Sequence, residues 1–351
     1  MTDHNSTPQT STHSAPSRGP KHTARSSHTF AIAAGATIGA LAISALYNRQ
    51  RAEQAERDNP PAGRFIEVNG VRLHYVERGR GEPLVLLHGN GSMIQDFESS
   101  GLLAMAAKKY RVIAFDRPGF GHSERPRATI WTPEAQADLI HAALSKIGIS
   151  RVIVLGHSWG ASVATALALK YPQDVGGLVL ASGYYYPSVR ADVVLASGPA
   201  VPVIGDVMRY TLAPILGRMM WPLVLRKIFG PASLPRKFEG FPKEMALRPS
   251  QIRATAAESA LMIPDAFSMR GDYAGLKMPL VIIAGDDDRL IEIDNQSARL
   301  HEDVTQSTFH RLRGVGHMVH QTAPAAVMSA IDEAAAAGSE PQRDEVLPRA
   351  A

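Results

Sequence analysis

Ser158 stands between two glycines in Gly156-His157-Ser158-Trp159-Gly160. The apolar run Val152-Ile153-Val154-Leu155 precedes it, and a helix-forming stretch, Ala161 to Lys170, follows. A serine at such a sharp strand-to-helix turn needs small flanking residues. The turn lifts its hydroxyl above the sheet and points the next N–H at a developing oxyanion. A serine hydroxyl is a weak nucleophile until a base takes its proton and a carboxylate fixes that base's tautomer. Both types occur downstream. Pro279 to Ala284 reads as a buried strand running into Gly285-Asp286-Asp287-Asp288. Ser307 to Leu312 reads as a last strand, followed by Gly314-Val315-Gly316-His317, with His320 close behind. Each group sits just past the carboxyl end of a strand, where open α/β sheets bind ligands. The chemistry open to such a set is acyl transfer through a covalent serine intermediate.

In motif order and context, the segment from Phe65 to Ala335 resembles the α/β-hydrolase superfamily. The resemblance implies an α/β-hydrolase fold: a mostly parallel central sheet flanked by helices, with an inserted helical cap. The family's Gly-x-x-Asp pattern falls on Gly285 and Asp288, which makes Asp288 the acid and Asp286 and Asp287 solvated neighbours. Its Gly-x-Gly-His pattern falls on Gly314, Gly316 and His317, which makes His317 the base and His320 a polar surface residue. The residue after His88-Gly89 supplies the family's second oxyanion N–H, so that role falls to Asn90 and the first to Trp159. Asp116-Arg117-Pro118-Gly119-Phe120-Gly121-His122-Ser123 also matches and reads as a structural turn. Asn90 and Trp159 are similar as well to the halide-binding pair of haloalkane dehalogenases. Those relatives use an aspartate nucleophile. A serine alkylated by that route forms an ether that water does not cleave.

The remaining elements must place these groups. Phe65 to Val68 and Arg72 to Val76 flank Asn69-Gly70, a hairpin signal. Strands then alternate with helix-like stretches such as Thr132 to Lys146, which implies a largely parallel sheet. The expected core spans 64–187 and 279–338, and the cap spans 188–278. The cap carries Tyr210, Met219, Met220, Trp221, Phe229, Phe238 and Phe241, some of which should line the cleft. Tyr184 and Tyr185, at the sheet-to-cap junction, are taken as a substrate-pocket edge or as packing beneath the cap.

Residues 1–28 are polar, and the composition predicts disorder there. Phe30 to Tyr47 carries no charge, with basic residues on both sides. That predicts a single-pass membrane anchor over 29–47, of open orientation, followed by a linker over 48–63. If the segment were cleaved, the protein would be secreted or periplasmic. A polar tail is expected at 339–351. The chain has no cysteine, which excludes thiol catalysis and disulfides. A net charge of +4 gives little support to nucleic-acid binding. No metal or other cofactor is expected, and Asp286-Asp287-Asp288 lacks the glycine spacing of a calcium loop. The partner expected is a small apolar acyl-type substrate. These readings converge on a membrane-anchored serine hydrolase of carboxylic esters. A non-catalytic scaffold that binds an apolar ligand, and a cofactor-free perhydrolase of haloperoxidase type, are the alternatives.

Overall fold

Eight strands form one sheet in the order β1-β2-β4-β3-β5-β6-β7-β8. They are β1 (Arg64–Val68), β2 (Val71–Arg78), β3 (Glu82–Leu87), β4 (Tyr110–Phe115), β5 (Val152–His157), β6 (Val175–Ala181), β7 (Leu280–Gly285) and β8 (Thr308–Leu312). The structure, a computed structural model, describes residues 1–2 and 23–339. Most of the polar arm expected at 1–28, and nearly all of the tail expected at 339–351, lie outside these residues.

The β1–β2 hairpin turns on Asn69 and Gly70, both at positive φ (51° and 75°), the conformation that an Asn-Gly pair adopts most readily. β2 then pairs antiparallel with β4, and every later pairing is parallel. The central strands are apolar on both faces because both are covered. In β5, Val152 and Val154 face one core while Ile153 and Leu155 face the other. In β7, Leu280 and Ile282 are separated from Val281 and Ile283 in the same way. The first core is completed by α3 (Pro133–Lys146) and α4 (Trp159–Lys170). The second is completed by α2 (Ile94–Ser100) and α9 (Pro324–Ser339). Thr132 caps α3 by accepting from the Ala135 N–H, and Pro133 begins the helix.

Between β6 and β7 the chain leaves the sheet and builds the cap. Its helices are α5 (Ala191–Ala196), α6 (Ile204–Tyr210), α7 (Leu212–Phe229) and α8 (Pro249–Met269).

The chain divides into two units, Met1–Ile43 and Ser44–Ala351. Helix α1 (Thr23–Asp58) runs through the boundary. Within the first unit it exposes Phe30, Ile32, Ile38 and Ile43. The helix over Thr29–Asp58 contains a stretch long and apolar enough to cross a membrane. A linker was expected over residues 48–63, but residues 48–58 are helical and only Asn59 to Gly63 connect them to β1. Asn48 and Ala55, seven positions apart, share a helix face and are buried at 1% and 3% exposure. Asn48 Nδ2 donates to the carbonyls of Tyr210 (3.0 Å) and Thr211 (2.8 Å), and its Oδ1 accepts from Arg218 (2.7 Å). Ala55 packs with Phe229, Phe238 and Phe241 of the cap. Glu56 pairs with Arg248 at 2.7 Å. The face is partly polar, so the apolar periodicity that marks a buried helix is missing from the sequence.

Two expectations follow. Asn48→Ala leaves the Tyr210 and Thr211 carbonyls short of a donor and should cost about 1–3 kcal/mol in thermal or denaturant unfolding. Asp265 on α8 is buried, with Oδ2 unpartnered among the described residues. Burial, then the charges of Glu134 and Glu258, push its carboxyl up to about 7 from the ordinary 3.8. A carboxyl raised on folding is harmless below its unfolded value and costs stability as pH climbs from 3.8 towards 7. Asp265→Asn should therefore raise Tm at pH 8 and leave it nearly unchanged at pH 4. A gain of equal size at both pH values would contradict this.

Candidate active site

At the end of β5 the backbone reverses direction at Ser158, with φ 53° and ψ −119°. Non-glycine residues rarely adopt this conformation, and it is held by close crossing of the chain on either side. A Cβ at Gly156 would strike the Gly160 carbonyl, and one at Gly160 would strike the Leu87 carbonyl. Gly89 is less tight, its virtual Cβ lying 3.1 Å from Ser158 Cβ. α4 starts at Trp159, so the free N–H groups of its first turn begin beside the Ser158 hydroxyl.

His317 is 3% exposed, and its Nδ1 donates to Asp288 Oδ2 at 2.7 Å. Asp288 Oδ1 accepts from the N–H groups of Leu290 (2.7 Å) and Ile291 (3.0 Å). Burial alone would raise the Asp288 carboxyl. Attraction and hydrogen bonding to His317, with the two N–H groups, hold it below its ordinary value. The carboxylate therefore stays ionised and fixes the proton on Nδ1, leaving Nε2 free to act as a base. Asp286 and Asp287 turn elsewhere: Asp286 pairs with Arg311 (2.5 Å), and Asp287 accepts from the Gly314 N–H.

The loop after β3 is set by Arg117. This side chain is fully buried. Its Nε donates to the His88 carbonyl (2.7 Å) and its Nη2 to the Gly89 carbonyl (3.0 Å). Nη1 reaches Gln136 Oε1 (2.8 Å), and both terminal nitrogens bond Glu258 of α8 at 2.5 and 3.0 Å. In a trans peptide the C=O and the following N–H point in opposite directions. Fixing the Gly89 carbonyl on Arg117 therefore aims the Asn90 N–H away from it. The Asn90 side chain is held separately, donating to the Thr255 carbonyl and to Ser259 Oγ of α8. His88 is held neutral: burial, then the Arg117 charge, push its imidazole down to about 3. Arg117 had been read only as part of a structural turn, and its grip on the loop has no local sequence signal.

Ser158, His317 and Asn90 line one cavity of about 570 Å³. Met220, Trp221, Phe238 and Phe241 of the cap supply apolar wall. Tyr210 and Met219 instead face outward, and Phe229 packs beneath. Tyr184 and Tyr185 are not among the lining residues, which corrects their reading as a pocket edge. They are buried under the cap, where Gln296 Oε1 accepts from the Tyr185 N–H and Tyr184 packs with Ile291. The Trp159 side chain also misses the cavity and lies in the core that α3 and α4 complete.

His320, expected at the surface, is fully buried. It stacks edge-on with His157, and its Nε2 lies 3.1 Å from Asp96 Oδ2, within ion-pair distance. Burial would raise Asp96, but attraction to His320, then to His157, holds it low. His157, pushed well below its ordinary value by burial and then by His320 and His317, is neutral and donates to the His317 carbonyl at 3.1 Å. Asp96, His157 and His320 hold ligand-type atoms within 4.8 Å of one another. Asp96 and His157 were missed because nothing in their own segments marks them.

The family profile for the alpha/beta hydrolase fold matches residues 82–324. A 2-hydroxymuconate semialdehyde hydrolase of Pseudomonas sp. (strain CF600) is 34% identical over 150 residues, 42% of this chain and 53% of that protein. Haloalkane dehalogenase 2 of Mycobacterium tuberculosis is 30% identical over 129 residues, 37% of this chain and 44% of the other. This chain thus spans about half the length of these relatives. A membrane phospholipase A, described as a bacterial virulence factor, shares the fold with TM-score 0.59 at 20% identity, covering 88% of this chain and 97% of the other.

The buried ion pair sets a measurable cost. Glu258→Ala leaves the Arg117 guanidinium without its buried counter-charge and should destabilise the protein by about 3–5 kcal/mol in chemical denaturation. A loss under about 1 kcal/mol would mean that the pair does not bear on the fold.

Proposed function

The chain belongs to the alpha/beta hydrolase fold family, and on that footing we propose that it is a membrane-anchored serine hydrolase cleaving a carboxylic ester. The observation that carries this reading is the His317–Asp288 hydrogen bond at 2.7 Å, with His317 and Ser158 lining the same cavity. In the proposed reaction Ser158 Oγ attacks the ester carbonyl as His317 Nε2 takes its proton. The N–H groups of Trp159 and Asn90 stabilise the oxyanion. The intermediate collapses, the carbonyl–alkoxy bond breaks, and His317 returns the proton to the departing alcohol. Water then attacks the acyl-enzyme with His317 again as base, and the acid leaves. Asp288 orients and stabilises the imidazolium throughout.

Halide displacement is disfavoured on two grounds. The nucleophile is a serine, and the Trp159 indole that would cradle a halide lies in the core away from the cavity. The apolar stretch within α1 supports a membrane anchor, and the membrane phospholipase A of the same fold is consistent with ester cleavage at a membrane.

Ser158→Ala and His317→Ala should each lower turnover of p-nitrophenyl butyrate by about 10³-fold or more, with melting temperature nearly unchanged. Asp288→Asn should also cut the rate strongly, whereas Asp286→Asn and Asp287→Asn should be mild. A Ser158→Ala protein that keeps most of its activity refutes the assignment. Short haloalkanes should release no halide, and steady release that depends on Ser158 would count against the ester reading.

A further inference from the structure

Apart from Met1, helix α1 and Ile130, every exposed large apolar side chain among the described residues lies in the cap. Most fall between Val189 and Val224, on α5, α6, α7 and the turns joining them. Leu195 is 82% exposed, Ile204 64%, Met219 69% and Leu223 54%. A water-facing surface rarely carries a cluster of this kind without an interaction to match it. The segments Ala191–Ala200 and Ile204–Tyr210 are together apolar enough to enter a membrane as a pair bent by 92°.

Two further features say what covers this face. The uncharged stretch ends at Tyr47, and Ser44 and Asn48 beside that end are hydrogen-bonded to the cap. Ser44 Oγ donates to the Thr211 carbonyl (2.8 Å), and Asn48 bonds both Tyr210 and Thr211, the junction of α6 and α7. The place where the candidate span ends is therefore joined directly to the apolar face. Arg49 and Arg51 follow, both exposed, as basic residues commonly do at a membrane surface. The second feature is the mouth of the cavity. Met220 and Val224 belong to the exposed face and also line the cavity that holds Ser158 and His317. Val193 and Ala196 of α5 line it too.

We infer that the face formed by α5, α6 and α7 lies in the outer layer of a lipid bilayer and that the substrate is an acyl ester dissolved in that bilayer. The ester enters sideways past Met220 and Val224, and an acyl chain fills the apolar cavity. This rests on the serine-hydrolase reading above and names its substrate class. One carbonyl–alkoxy bond is broken and one water consumed, giving a fatty acid and the remaining alcohol.

The test uses the full chain reconstituted in vesicles of dioleoylphosphatidylcholine. Hydrolysis of the vesicle lipid is compared with that of water-soluble p-nitrophenyl butyrate. Leu195→Asp, Ile204→Asp and Leu223→Asp are combined in one variant, since none of these residues lines the cavity. Lipid hydrolysis should fall by about tenfold or more, because carboxylates are costly at membrane depth, while butyrate turnover stays within about twofold. Retained butyrate turnover also reports that the variant is folded. Wild-type protein that cleaves butyrate but no vesicle lipid overturns this inference and leaves the hydrolase reading intact. Protein that cleaves neither sinks both. Equal loss on both substrates also overturns the bilayer role.

The absence of native cysteine permits a second measurement. A nitroxide on Leu223→Cys should collide more with oxygen than with a water-soluble nickel chelate, and one on Lys108→Cys of the core should do the reverse. Preferential nickel collisions at Leu223 would place the face in water. Spin–spin broadening between labels would mean that a second copy covers the face. Either result overturns the inference.

Discussion

The buried contact between Arg117 and Glu258 ties the parts of the site together. One guanidinium holds two carbonyls of the loop after β3, a glutamine of α3 and a carboxylate of the cap helix α8. Removing both charges from water is expensive, and the cost is offset only because nearly every donor and acceptor is matched. The geometric result is specific. The loop carbonyls point at Arg117, so the loop N–H groups are left pointing the other way. The same contact pins α8, from which Thr255 and Ser259 hold the Asn90 side chain. Core, loop and rear of the cap are thus one hydrogen-bonded body, and the proposed oxyanion site is built before any substrate arrives.

A second layer supports the imidazole. His157 is neutral and donates to the His317 carbonyl, while His317 donates its ring N–H to Asp288. The backbone and the ring of His317 are thereby fixed by different partners. Asp96 and His320 fill the space behind His157, so a polar cluster, not an apolar plug, backs the histidine.

Features coded over short spans were legible in the sequence. The buried run Val152 to Leu155, the turn at Asn69-Gly70 and the placement of Ser158, Asp288 and His317 at strand ends each depend on a few neighbouring residues. What was not legible depends on distant partners. Arg117 meets Glu258 across 141 positions, and the Tyr185 N–H meets Gln296 across 111. His320 is hidden by Asp96 and His157, which no local pattern connects to it. Residues 48–58 were read as a linker because the face that buries them is polar at Asn48 and Glu56, so a charge count could not reveal the docking.

The backbone at Ser158 has one more consequence. At φ 53° a serine is strained where a glycine would be at ease. Strain of this kind costs on the order of 1–3 kcal/mol, and it persists only where the surrounding structure over-determines the bend. Here the close approaches at Gly156 and Gly160 do that, so the hydroxyl is displayed by the backbone itself and needs no side-chain partner to hold it in place.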